Sequence, residues 1–152
     1  MRKLVIDRAA IKNNLTVIKD RAAGAAIYGV LTGDGQGVGA AALAQLLRDE
    51  GIGRFAVSEV AEAEALRQAG FVDEEILMLR STTDREELER LVDLNVVCTV
   101  SSVDTGMALN ALAGNRSTVA EAHIQVDTGM GFGGFLVSEP EKLLLAYRSM
   151  PN

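Results

Sequence analysis

The chain has little of several residue types, and each shortage excludes a class of protein. It has one cysteine, Cys98, in 152 residues, so no internal disulfide can form, which favours a reducing, cytoplasmic compartment. It has no tryptophan and only 4% aromatic residues, so its core must consist of Ala, Leu, Val and Ile. No apolar run approaches the roughly 20 residues of a membrane-spanning helix. The sequence therefore predicts a protein that depends on neither disulfides nor a membrane.

Positive charge and histidine are also scarce. Fifteen lysines and arginines stand against 21 acidic residues, which gives a net charge of −6 and a pI of about 4.8. An acidic chain without a basic cluster is poorly suited to nucleic acid or to an anionic membrane surface. The single histidine, His123, has no cysteine or second histidine near it, so we expect no metal site.

Apolar residues make up 48% of the chain, and its length fits one domain, expected over residues 1–152. The patterns predict strands at 4–6, 26–31, 54–58, 75–80, 96–101 and 120–126. Helices are predicted after Asp7, over 40–50 and 60–69, from a capping box at 83–87, over 107–113 with an end at Gly114, and from a similar start at 138–141.

Strands that alternate with helices through short loops indicate a parallel α/β sheet. Strand ends fall near residues 32, 58, 80, 101 and 127, a spacing typical of β/α-barrel units. A full barrel of eight units needs about 250 residues. The expected fold is therefore about five of eight TIM-like units, an incomplete barrel. In strand 120–126, Glu121, His123 and Gln125 would face its lumen.

The rest of the chain is organised around a glycine-rich stretch, residues 27–39, which reads I-Y-G-V-L-T-G-D-G-Q-G-V-G. An apolar strand breaks there into a loop that leads into helix 40–50. Such a loop lets the backbone approach a ligand and aims N–H groups at an anion. Residues 35–40 also fit G-x-G-x-x-A, with Glu59 after the next strand. A phosphate- or dinucleotide-binding module using the Gly33–Gly39 loop is one open hypothesis, and a tight loop without a ligand is the other.

Four segments also share patterns with a known family. Residues 30–39, V-L-T-G-D-G-Q-G-V-G, are similar to V-x-K-A-D-A-Y-G-H-G, and residues 126–131, V-D-T-G-M-G, are similar to part of K-x-D-T-G-M-G-R-x-G-F. Residues 5–15 are similar to I-D-x-x-A-I-x-x-N-L, and residues 55–70 resemble the family's second β/α unit. The family is that of the alanine racemases. The resemblance runs from residue 5 to about 135 and implies their N-terminal, pyridoxal phosphate-binding β/α barrel.

The positions that carry the family's chemistry hold other residues here. The substitutions are Thr32 for the cofactor lysine, Gln36 for a tyrosine, Val38 for a histidine, Gln125 for a second lysine and Phe132 for an arginine. A threonine hydroxyl cannot make the covalent link that a lysine amine makes with pyridoxal phosphate. Asp34, Gly37 and Gly39 keep the family's identity and are the remaining candidate cofactor contacts. Asp34 and Asp127 are each expected to cap helix or loop N–H groups.

The leading interpretation is an alanine racemase-like barrel domain that has lost the cofactor lysine. Such a domain is expected to bind no cofactor, to be non-catalytic alone, and to act as a fragment or with a partner. Self-association or a partner chain is expected at the open barrel edges, because unpaired sheet edges recruit other chains. The alternatives are a part of a pyridoxal phosphate-dependent amino-acid racemase that needs other chains, and the phosphate- or dinucleotide-binding module.

Overall fold

The computed structural model describes residues 4–152. The strands are β1 (Gly29–Val30), β2 (Arg54–Val57), β3 (Glu75–Met78), β4 (Cys98–Val100), β5 (Ala122–Ile124), β6 (Val126–Asp127) and β7 (Phe135–Leu136). The helices are α1 (Arg8–Ala22), α3 (Ala40–Asp49), α4 (Val60–Gln68), α5 (Arg85–Asp93), α6 (Val103–Arg116) and α7 (Pro140–Arg148). A single turn, α2 (Thr32–Gly37), lies between β1 and α3. No helix of residues 4–152 is long and apolar enough to cross a membrane.

The strands are parallel and follow one another in chain order. Strands β1, β2 and β3 pair in that order, with Phe55 opposite both Gly29 and Ile76. A bridge between Leu77 and Val97 joins β3 to β4, and β4 pairs with β5. Strand β6 then pairs in parallel with β7. The sheet does not close over the described part of the chain, so the predicted class, a parallel α/β partial barrel, is confirmed.

The sheet is strongly curved. The ring of Tyr28, just before β1, meets the ring of His123 on β5 edge-on, with centroids 6.3 Å apart. Side chains from the first and fifth strands therefore meet across the concave face, as they would in the lumen of a barrel. This contact confirms that His123 points into the lumen.

The core lies between the sheet and the helices that cover its convex face. Its largest fully buried side chains are Phe55, Phe71, Leu31, Leu66, Ile76, Met78, Leu91, Val57 and Val100. The prediction of a core made only of Ala, Leu, Val and Ile was wrong, because the few aromatic residues are concentrated in the core. The rings of Phe55 and Phe71 pack there at 89° with centroids 5.6 Å apart. Cys98 is also buried, and burial raises the pKa of its thiol to about 11, so it is an unreactive core residue.

Three strand predictions need correction. Residues 4–6 form no strand and are exposed, because no described strand lies beside them to pair with their backbone N–H and C=O groups. Predicted strand 26–31 pairs only at Gly29 and Val30, where β2 lies alongside. Predicted strand 120–126 breaks at Gln125, because Val126 and Asp127 leave β4 and pair with β7.

Two helix boundaries also differ from the prediction. Helix α6 begins at Val103, because the Ser102 hydroxyl accepts the Thr105 N–H and caps the helix there. It runs through Gly114 to Arg116 and ends at Ser117, which is left-handed with φ of 51°. At α7 the predicted cap Ser138 is not used. Glu139 occupies the N-cap position and Pro140 opens the helix.

Candidate functional site

Parallel β/α folds place their ligand sites at the carboxyl ends of the strands. Here that edge carries Thr32 after β1, Ser58 after β2, Arg80 after β3, Ser101 after β4 and Gln125 after β5. The residues predicted from the family patterns fall into two groups on this edge. One group lies in α2 and the two residues after it, and the other consists of Gln125, before β6, and Phe132, in the loop between β6 and β7. No hydrogen bond joins the two groups within residues 4–152.

The turn α2 has a left-handed backbone. Gly33, Asp34, Gly35 and Gln36 have φ values of 62°, 54°, 63° and 60°, with ψ between 33° and 49°. L-residues avoid this region by roughly 1–2 kcal/mol each, whereas glycine enters it freely. Alternating glycines therefore let the chain make a turn of this hand, at a cost only at Asp34 and Gln36. The sequence predicts a loop at this position but does not predict the left-handed conformation of its backbone.

Two carboxylates hold the turn. Glu62 on α4 accepts the N–H of Gly33 at 2.7 Å, together with the N–H groups of Ser58 at 2.9 Å and Glu59 at 3.1 Å. Burial raises the pKa of Glu62, but these backbone hydrogen bonds outweigh it and hold the pKa below its ordinary value. Asp34 Oδ1 accepts the N–H of Ala40, the first residue of α3, at 2.8 Å. The capping role predicted for Asp34 is confirmed.

These hydrogen bonds occupy backbone N–H groups that a bound anion would need as donors. The amides of Gly35, Val38 and Gly39 donate to carbonyls of the same segment. The amides of Gly33 and Ala40 donate to Glu62 and Asp34. Because the carboxylates already sit at the start of the turn and at the start of α3, the hydrogen bonds do not favour the phosphate- or dinucleotide-binding hypothesis for the Gly33–Gly39 loop.

The next strand end carries an ion network that the sequence reasoning missed. Arg80 donates to the Glu87 carboxylate at 2.9 Å and 3.0 Å, to Glu59 at 3.3 Å and to the carbonyl of Ser58 at 3.3 Å. The hydrogen bond from Arg80 lowers the pKa of Glu87. The network joins the chain after β3 to the chain after β2 and to helix α5. An arginine directly after a strand, with glutamates opening the helices on either side, was the available signal.

The loop after β6 is built on Asp127. Its Oδ1 accepts the N–H groups of Gly129 at 2.8 Å and Gly131 at 3.1 Å, and these bonds lower the pKa of the carboxyl group. The capping role predicted for Asp127 is confirmed. Gln125 reaches the Phe132 carbonyl at 3.5 Å, while the Phe132 side chain is 78% exposed.

Within residues 4–152, no strand end carries a lysine that could hold pyridoxal phosphate covalently. The Thr32 hydroxyl accepts from the Gln36 amide at 3.3 Å and has no amine to offer. Lys12 and Lys19 lie on α1, where both interact with Glu50, and Lys142 lies on α7 bound to Glu139. The fourth lysine, Lys3, lies outside the described residues. Within residues 4–152, no three or more His, Cys, Asp or Glu side chains are grouped to hold a metal.

Comparisons with known proteins show to which family this chain belongs. Residues 6–152 match the profile of the alanine racemase N-terminal domain. The chain belongs to this family. An alanine racemase of Levilactobacillus brevis is 35% identical over 136 residues, which are 88% of this chain and 36% of that protein. The crystal structure of the alanine racemase from E. faecalis superposes with a TM-score of 0.81 and 34% identity, covering 94% of this chain and 38% of that one.

The alanine racemase of Bartonella henselae, 23% identical, has the same fold with a TM-score of 0.83 and contains covalently bound pyridoxal phosphate. The matched region covers 96% of this chain and 41% of that protein. This chain thus spans little more than a third of the length of the relatives it matches. The family depends on pyridoxal phosphate, and the region shared with this chain is the first part of its barrel.

Proposed function

We propose that this alanine racemase-like barrel domain has lost covalent cofactor attachment and does not racemise amino acids alone. The observation that carries the proposal is Thr32 at the end of β1. A threonine occupies the position of the family's cofactor lysine, and its hydroxyl is engaged by Gln36. The substitutions at Gln36, Gln125 and Phe132 support it, because each removes an ionisable side chain from the same edge of the sheet.

The domain acts in association with another polypeptide chain, either a second copy of itself or a different protein. Strand β1 has one paired neighbour, β2, and its Val30 is half-exposed. At the other end, the segment 126–137 exposes large apolar side chains. They are Val126, Met130, Phe132, Leu136 and Val137. Unpaired strand edges flanked by apolar side chains favour association with another chain.

The first experiment is a titration of the protein with pyridoxal phosphate, followed by absorbance, borohydride reduction and peptide mass mapping. We expect scattered, non-saturating labelling of the lysines on α1 and α7. A variant with Lys12, Lys19 and Lys142 all changed to arginine should lose most of that labelling. A stoichiometric adduct at one lysine would contradict the proposal and support the alternative, a racemase part that needs other chains.

The partner proposal is tested by light scattering over a wide range of protein concentration. We expect association that weakens in Phe132→Ser, because this removes the most exposed aromatic ring of the 126–137 edge. Val72→Ser, at a similarly exposed valine between α4 and β3, is the matched control and should associate like the wild type. If the protein stays monomeric at every concentration, self-association is excluded and the proposal is reduced to a different partner chain.

A further inference from the structure

Helix α7 presents an exposed stripe of side chains on the face that points away from the domain. Its residues follow the spacing i, i+3, i+4 and i+7, which places them on one side of a helix. The members of this α7 stripe are Glu141, Leu144, Leu145 and Arg148. The opposite side of the helix packs on the domain, where Ala146 is wholly buried.

The α7 stripe is apolar at its centre and charged at its ends. Leu144 and Leu145 are 49% and 55% exposed. Glu141 and Arg148 are exposed too, and within residues 4–152 neither forms an ion pair, whereas Lys142 pairs with Glu139. Glu141 and Arg148 lie about 10 Å apart along the helix axis, so they do not neutralise each other. Exposed leucines between unpaired charges have the composition of a contact surface.

The α7 stripe is complementary to a second copy of itself. If two α7 helices pack antiparallel about a twofold axis, with the axis between Leu144 and Leu145, each leucine meets a leucine of the other copy. Glu141 of each copy then faces Arg148 of the other, so an ion pair forms at both ends of the contact. A parallel pair of helices would instead place Glu141 against Glu141 and Arg148 against Arg148. The charges therefore select the antiparallel arrangement.

We propose that the α7 stripe binds a second copy of this chain, with the two α7 helices antiparallel across a twofold axis. This inference rests on the proposed function, which leaves the partner open, and it names that partner. Leu136 and Val137, which are 48% and 72% exposed, lie just before α7, so the α7 stripe continues the apolar 126–137 edge. One short helix offers a small contact, so the dimer is weak and depends on protein concentration.

The pairing of charges is tested by sedimentation velocity of the whole chain over a range of concentrations. Glu141→Arg and Arg148→Glu each bring like charges together at both ends of the contact, so each should raise the dissociation constant about tenfold or more. An equal mixture of these two variants should associate like the wild type, because opposite charges then meet at both ends. Arg21→Glu makes the same change in the last turn of α1, and this matched control should associate like the wild type.

Leu145→Ser keeps both charges of the α7 stripe and should also weaken association, so the inference can be tested even if a charge variant does not fold. A mixture that fails to associate would overturn the antiparallel pairing. Association that is lost in Phe132→Ser but unchanged in every α7 variant would overturn the inference and support the 126–137 edge alone. A wild type that stays monomeric would also overturn it, while the pyridoxal phosphate titration still tests the proposed loss of cofactor attachment.

Discussion

The centre of the sheet and its last edge are held together by different forces. In the centre, Phe55 on β2 is wholly buried and packs against Phe71 and Leu47. At the edge, Phe132 is 78% exposed, and its loop is held by backbone hydrogen bonds to Asp127. The centre is stabilised by burial and packing, which the domain supplies alone. The edge has local order and little burial, so it is the part that the proposed partner would cover.

The comparison is tested most strongly by removing one phenylalanine ring from each region. Phe55→Ala should lower the free energy of unfolding by about 3–5 kcal/mol, because a buried ring is lost and a cavity remains. Phe132→Ala should change it by no more than about 0.5 kcal/mol at concentrations where the protein is monomeric. Urea denaturation measures both. A large loss in Phe132→Ala would show that the edge is packed and would break the comparison.

A second test concerns arginines in the central region. Arg67 donates to four backbone carbonyls, those of Phe71, Glu74, Leu94 and Asn95, at 2.6–2.9 Å. It therefore ties α4 to the loops before β3 and β4. Arg67→Ala should cost about 2–4 kcal/mol, because several carbonyls lose a charged donor.

The matched control for Arg67 is Arg85→Ala. Arg85 is a helix arginine whose side chain is 82% exposed and which pairs with Glu89, one turn away. Exposed pairs of this kind contribute little to stability. Thermal unfolding should therefore separate the two variants clearly. Equal melting temperatures would show that the carbonyl bonds of Arg67 are replaced by water without loss.

The sequence predicts the central region well, because its signals are local. Strands 54–58 and 75–80 and helix 60–69 match β2, β3 and α4 within two residues at either end. Their short apolar runs and the acidic start of the helix need no information from distant residues. Arg67 falls in a segment that resembles the family, but its role was not predictable, because its four acceptors lie in two separate loops.

The strand ends and the edge were harder to predict for a physical reason. Alternating glycines permit a turn of either hand, and the contacts that hold the observed turn, Gly33 with Glu62 and Asp34 with Ala40, join it to neighbouring helices. Residues 4–6 have the composition of a strand, but a strand forms only where another backbone lies beside it. The break at Gln125 likewise depends on β7, which Phe135 and Leu136 provide from beyond the next loop. Residue patterns therefore predicted the strands and the loops at their ends, and tertiary contacts decided the geometry of those loops.

The smallest expected effect concerns pH and compares one carboxylate from each region. Glu62 and Asp127 both have a pKa below the ordinary value because they accept backbone N–H groups. A carboxylate whose pKa is lower in the folded state binds fewer protons there than in the unfolded chain. Its contribution is therefore present above the unfolded pKa, near 4, and is lost as pH falls through the folded value.

Glu62→Gln and Asp127→Asn should each lower the melting temperature at pH 7, and each difference from the wild type should shrink below about pH 4. Glu62 accepts the amides of Gly33, Ser58 and Glu59 and so joins the turn after β1 to the start of α4, whereas Asp127 orders a single exposed loop. The Glu62 variant should therefore show the larger fall in melting temperature. Thermal scans at pH 7 and in the acid range measure both. A larger change in Asp127→Asn would mean that the 126–137 edge, and not the turn after β1, is the better anchored end of the sheet.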